Sequence, residues 1–192
     1  MLADSDATDR ERRWVSQLGK RAVTAISDCE IVTVARVHGH AIGGGALLGA
    51  ACDFRLVSDD AQFAIPEVDL GLPLTWGGAP LLIRELGAAR ARELIVMAES
   101  IDAAEALRIG LAHRVVAAPE LDALVDAWAH RIAAKPDFAV HATKTQFRAY
   151  ARGALFGDVT ETDGDMLSEA SRSQMAKASF PAGADGGASD DG

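Results

Sequence analysis

An α/β fold with a mostly helical second half is what the amino-acid sequence predicts. Three observations carry it. Strand-like and helix-like runs alternate from Ile31 to Leu72. Three consecutive glycines, Gly43, Gly44 and Gly45, stand between an apolar strand and a small-residue helix. Beyond Pro80 most apolar residues recur at helical spacing. That is the order of an α/β core followed by helices.

Taken in order, residues 1–9 are polar and make a frayed start. Arg10 to Ser27 carries Trp14, Leu18, Ala22, Val23 and Ile26 on one face and predicts an amphipathic helix. The β-branched run Ile31–Val37 predicts a strand buried on both faces. After the glycines a helix runs from Ala46 to Cys52. Asp53–Ser58 and Ala61–Ile65 are short strands, with Ser58-Asp59-Asp60 turning between them.

Pro80–Leu86 and Ala88–Ala98 predict two helices divided by Gly87. A third runs from Asp102 to Ile109, with Asp102 near its start and Gly110 as its stop. His113–Ala117 predicts a short strand. Pro119–Lys135 is a long amphipathic helix with proline near its start and Pro136 after its end. Phe138–Arg152 and Asp158–Ala178 complete the helices. The tail PAGADGGASDDG is flexible by composition.

With 192 residues, 49% of them hydrophobic, the chain has enough material for one substantial core. The net charge is −9, from 19 basic and 28 acidic residues. That balance, without a basic cluster, argues against nucleic acid as a partner. Cys29 and Cys52 form no CxxC pair, so neither a disulfide framework nor a metal site is implied, and two separate thiols suit a reducing compartment. His38-Gly39-His40 has no third ligand at a recognisable spacing. The start MLADSDATDRERRW has no apolar signal core, and no apolar run reaches membrane-spanning length. These features predict a soluble cytoplasmic protein with no membrane partner.

The glycine triplet has two readings. It is either a tight turn for packing, or a turn that aims free N–H groups at the start of a helix into a cleft. It lacks the spacing of a dinucleotide loop and the Gly-Lys-Ser/Thr of a phosphate loop. Glu67, read alone, is a solvated residue where the strand ending at Ile65 leaves the sheet. The fixed order of glycines, helix, strands and then Glu67 favours the functional reading. A backbone N–H and a carboxylate on two sides of one pocket are the tools for moving a proton next to a carbonyl.

The residues HGHAIGGGALLGAACDFRLVSDDAQFAIPEVDLGL, then WGG, then IDAAEALRIGLAHRVV resemble the crotonase superfamily, also called the enoyl-CoA hydratase/isomerase family. The resemblance runs from about Ile31 to about Lys144, with looser agreement to Phe180. It implies a crotonase-like core of stacked strand–strand–helix (ββα) turns, N-terminally shortened, over residues 1–118. It implies a helical C-terminal trimerisation region over residues 119–180, followed by a flexible tail over 181–192. It also implies a coenzyme A thioester as substrate, no separate cofactor or metal, and a homotrimer or hexamer.

By resemblance the N–H of Gly44 is one of two donors to the thioester oxygen. Family hydratases carry two catalytic glutamates. Glu67 matches the second, but the first position is Leu47. Some family isomerases share that pattern, and there one carboxylate takes and returns the proton. Leu47 and Glu67 therefore point to double-bond isomerisation ahead of hydration, with Leu47, Leu72, Leu74 and Trp76 lining the acyl pocket. Nothing in residues 1–30 matches the family's opening segment, which supplies the other donor and part of the coenzyme A surface. A hydratase, a family hydrolase or decarboxylase, and a non-catalytic acyl-CoA-binding or assembly subunit remain open.

Overall fold

The computed structural model describes residues 8–153. The helix expected over Asp158–Ala178 and the tail from residue 181 lie outside them. The chain divides into two units, Met1–Ala134 and Lys135–Gly192.

The first unit opens with α1 (Asp9–Ser27), β1 (Val34–Val37), β2 (His40–Ile42) and α2 (Gly44–Ala51). It continues with β3 (Phe54–Ser58), β4 (Gln62–Ala64) and α3 (Gly78–Met97). Then come β5 (Ile101–Asp102), α4 (Ala103–Arg108), β6 (Arg114–Val116), a 3-10 turn over Ala118–Glu120, and α5 (Leu121–Ala133). The second unit contributes α6 (Asp137–Gly153).

The strands form two sheets of three strands each, ordered β1-β3-β6 and β2-β4-β5. The first is parallel throughout, with Val34 opposite Phe54 and Val57 opposite Val115. In the second, β2 and β4 are parallel, while β4 and β5 are antiparallel. Each of two successive passes therefore steps from the first sheet to the second and then into a helix: β1-β2-α2, then β3-β4-α3. The two steps are fastened together, because the Gln62 N–H at the second donates to the Gly39 carbonyl at the first at 2.7 Å.

This repetition places the start of α2 beside the end of β4. α2 is built from small residues and buries Ala46, Leu47, Ala50 and Ala51. Small side chains let α1 and α3 approach it closely. The core continues through Val57, Phe63, Ile65, Leu82 and Leu111. Burying a leucine such as Leu47, 2% exposed, stabilises by roughly 1.5–3 kcal/mol.

The sequence expectations hold for most elements and fail at identifiable places. Gly87 breaks the helix ladder inside α3, with φ 77° and ψ 159°, as the two expected helices require. The Asp102 carboxylate accepts the Glu105 N–H at 2.8 Å and caps α4. The strand expected over Ile31–Val37 is shorter, and it is an edge strand of its sheet, half-buried with Arg36 exposed. Asp53 explains the shortening. Its carboxylate accepts both the N–H and the hydroxyl of Thr33, at 2.7 and 2.8 Å, and replaces ladder bonds there. Burial on both faces belongs to β3, where Arg55 through Ser58 are all buried. β2 and β5 were not foreseen.

Candidate active site

Gly43 holds φ 52° and ψ −117°, a backbone open to glycine and strained for any side chain. Its N–H donates to the Ala64 carbonyl at 2.8 Å. That bond pins the turn to the end of β4, just ahead of Pro66-Glu67. The chain then folds back on itself, since the Glu67 carbonyl accepts the N–H groups of Leu70 and Leu72 at 3.1 and 2.9 Å.

The result turns the Glu67 side chain inward onto the glycine turn. Oε1 lies 2.8 Å from where a β-carbon on Gly43 would stand. Oε2 is buried and has no hydrogen-bond partner among the described residues. Leaving a buried acceptor unsatisfied costs about 1–3 kcal/mol, more for a charged group. An oxygen held that way retains its capacity to accept a proton from a ligand.

Gly44 follows immediately and is the first residue of α2. N–H groups in the first turn of a helix have no intrahelical acceptor, and they carry the positive end of its dipole. One dipeptide, Gly43-Gly44, thus brings a carboxylate and a helix-start N–H to one place. Such a pair can remove a proton from carbon and hold the negative charge that develops on a neighbouring oxygen.

The expected apolar lining divides. Leu47 belongs to the core, and Leu74 and Trp76 pack against it. Leu47 and Leu74 converge on Gly78, their δ-carbons 2.8 and 2.9 Å from its would-be β-carbon. The Trp76 ring lies against Gly44. Leu72 stands apart from this group, 56% exposed.

Arg55 holds the far end of the helix that presents Gly44, with His113 beside it, and sequence reasoning passed over both. Arg55 is 1% exposed. Its guanidinium donates to the carbonyls of Ala50 and Cys52 at 3.2 and 2.8 Å, at the far end of α2, and to Leu111 at 2.5 Å. It also pairs with Glu85 at 2.7 Å. An arginine inside the apolar run of β3 is the signal that could have found it, because a buried charge must be paired. His113 lies alongside, its Nδ1 accepting the Arg55 backbone N–H at 3.1 Å. Burial first, then the Arg55 charge, holds the imidazole below its ordinary pKa of 6.5, against an opposing pull from Glu85.

A hollow of about 440 Å³ along α1 is lined by Gln17, Lys20, Arg21, Thr24 and Ala25, and it shares no residue with the Gly43–Glu67 site. No cluster of three or more metal-ligating side chains occurs among the described residues. No helix among them is long and apolar enough to cross a membrane.

Comparison with known proteins identifies the family. The family model described as enoyl-CoA hydratase/isomerase matches residues 5–183. A crotonyl-CoA hydratase of Syntrophomonas wolfei subsp. wolfei is 40% identical over 134 residues, covering 70% of this chain and 52% of that protein. A peroxisomal Delta(3,5)-Delta(2,4)-dienoyl-CoA isomerase of Arabidopsis thaliana is 37% identical over 139 residues, covering 72% of this chain and 50% of that protein. A protein of Thermobifida fusca YX, solved in complex with acetoacetyl-CoA, superposes with a TM-score of 0.69 at 37% identity, over 82% of this chain and 60% of that one. The chain spans about half the length of the curated relatives it matches.

Proposed function

The chain belongs to the enoyl-CoA hydratase/isomerase family, and on that premise we propose that it acts on acyl-CoA thioesters and shifts a carbon–carbon double bond. Glu67 is the single base. Its carboxylate removes a proton from the carbon next to the thioester carbonyl. The electron pair moves toward the carbonyl oxygen, and the Gly44 N–H stabilises the negative charge there. Protonated Glu67 then returns the proton two carbons along, and the double bond comes into conjugation with the thioester.

The observation that carries this reading is the buried Oε2 of Glu67, without a hydrogen-bond partner among the described residues, on a carboxylate turned onto Gly43. Leu47 supports isomerisation specifically. It is 2% exposed, and a hydrocarbon side chain neither activates water nor donates a proton to carbon. Hydration is the second reading, favoured by the hydratase names of several relatives. For it one carboxylate has to activate water and also protonate carbon.

The test converts a 3-enoyl-CoA to its 2-enoyl isomer with this chain and with Glu67→Gln. Losing a general base costs about 10²–10⁴ in rate. The variant should lose activity on that scale and still bind a saturated thioester. Equal activity in the two proteins would remove Glu67 from the role.

A further inference from the structure

Trp76 is placed in a way that its neighbours in sequence do not require. Its φ is 57°, in the left-handed region that bulky side chains avoid. Among the described residues Ala98 alone shares that departure outside glycine. Strain of this kind persists where the surroundings over-determine it, and it gathers at ligand sites.

The indole is wedged between two glycines from different helices. Its Cε2 lies 1.8 Å from the would-be β-carbon of Gly19 in α1, and its Cζ3 lies 2.3 Å from that of Gly44 in α2. Neither glycine could carry a side chain without displacing the ring. The orientation is also defined. The atoms nearest Gly19 include the polar Nε1, whereas those nearest Gly44 are Cζ3, Cη2 and Cε3, all carbon. The ring is half-buried and packs against the core together with Leu74.

We propose that Trp76 determines which acyl groups the Gly44–Glu67 site accepts, its hydrocarbon edge closing the space beside Gly44 so that short apolar acyl thioesters fit and long ones are excluded. The proposal rests on the thioester reading of that site. The indole is large, and the backbone of Gly19 lies against its ring fusion while that of Gly44 lies against its hydrocarbon edge, so both helices limit how far it can move to admit a longer chain. The polar nitrogen turned toward α1 leaves the acyl group a purely apolar wall.

Saturated thioesters test this without depending on turnover. Binding of butyryl-CoA and decanoyl-CoA would be measured by calorimetric titration for this chain, Trp76→Ala and Trp76→Phe. The parent should favour the butyryl thioester. Trp76→Ala should move the affinity ratio toward the decanoyl thioester by about tenfold or more. Trp76→Phe, which keeps an aromatic edge, should retain the parent order. An unchanged ratio in folded Trp76→Ala overturns the proposal.

A second measurement serves if Trp76→Ala does not fold. With Trp14→Phe and Trp128→Phe, Trp76 is the sole indole. Butyryl-CoA should shift its emission, and binding by calorimetry with no shift overturns the proposal. Absence of thioester binding in every form would instead overturn the site reading beneath it.

Discussion

Gly43 is the residue on which the site's two chemical groups depend together. Its positive φ admits no side chain without strain, and the Glu67 carboxylate occupies the space a β-carbon would take. Gly43→Ala should therefore do two separable things. Stability should fall by about 1–3 kcal/mol from backbone strain, read by chemical denaturation. The displaced carboxylate should lose about a hundredfold in kcat, with KM changing far less. A variant less stable but unchanged in kcat would make Gly43 a turn residue only. His113 gives a prediction of a different kind. Its imidazole is held below 6.5 in the folded protein, so the unfolded chain binds a proton that the folded one refuses. The stability it lends is present above pH 6.5 and is lost as pH falls below that value. Denaturation between about pH 7.5 and about pH 5 should show a smaller decline in His113→Gln than in the parent. Equal declines would remove His113 from that dependence.

At the level of elements, the far end of α2 is held by one side chain. Arg55 in β3 reaches the last carbonyls of α2, the Leu111 carbonyl ahead of β6, and Glu85 in α3. Removing one partner from such a buried set costs about 3–5 kcal/mol. Arg55→Met should lower stability on that scale by denaturant titration, whereas Glu85→Gln, 21% exposed in its side chain, should cost less. An Arg55→Met protein as stable as the parent would contradict this anchoring. Elements carrying their own local signals were legible in the sequence: the Asp102 cap, the break at Gly87 and the apolar run of β3. β2 and β5 were not. They hold three and two residues, too few for any periodicity, and they exist because each finds a neighbour in β4. At the site, the order of the glycines and Glu67 was visible. Leu47, Leu74 and Trp76 were named with them through the family resemblance, but the contacts were not legible, because they join residues far apart in sequence: the carboxylate resting on Gly43, the Trp76 ring between Gly19 and Gly44, and Arg55 behind α2.

On the scale of the whole molecule, apolar surface remains uncovered. Leu70 and Leu72 in the loop after Glu67, and Val96 and Met97 in α3, are each more than half exposed. In the second unit, Phe147 and Tyr150 share one face of α6 and are 73% and 65% exposed. Surfaces of this kind mark association sites, and we propose that copies of the chain assemble as trimers or pairs of trimers. Light scattering at micromolar concentration should give a multiple of the monomer mass, and a clean monomer would contradict it. The chemistry also belongs to this scale, since Gly43 comes from one strand–strand–helix pass and Glu67 from the next. Its most direct test sets isomerisation of a 3-enoyl-CoA against hydration of a 2-enoyl-CoA in one preparation of this chain. With Glu67 as the single base and Leu47 in the other position, isomerisation should exceed hydration in kcat/KM by about a hundredfold or more. Hydration equal to or faster than isomerisation would contradict the single-carboxylate mechanism.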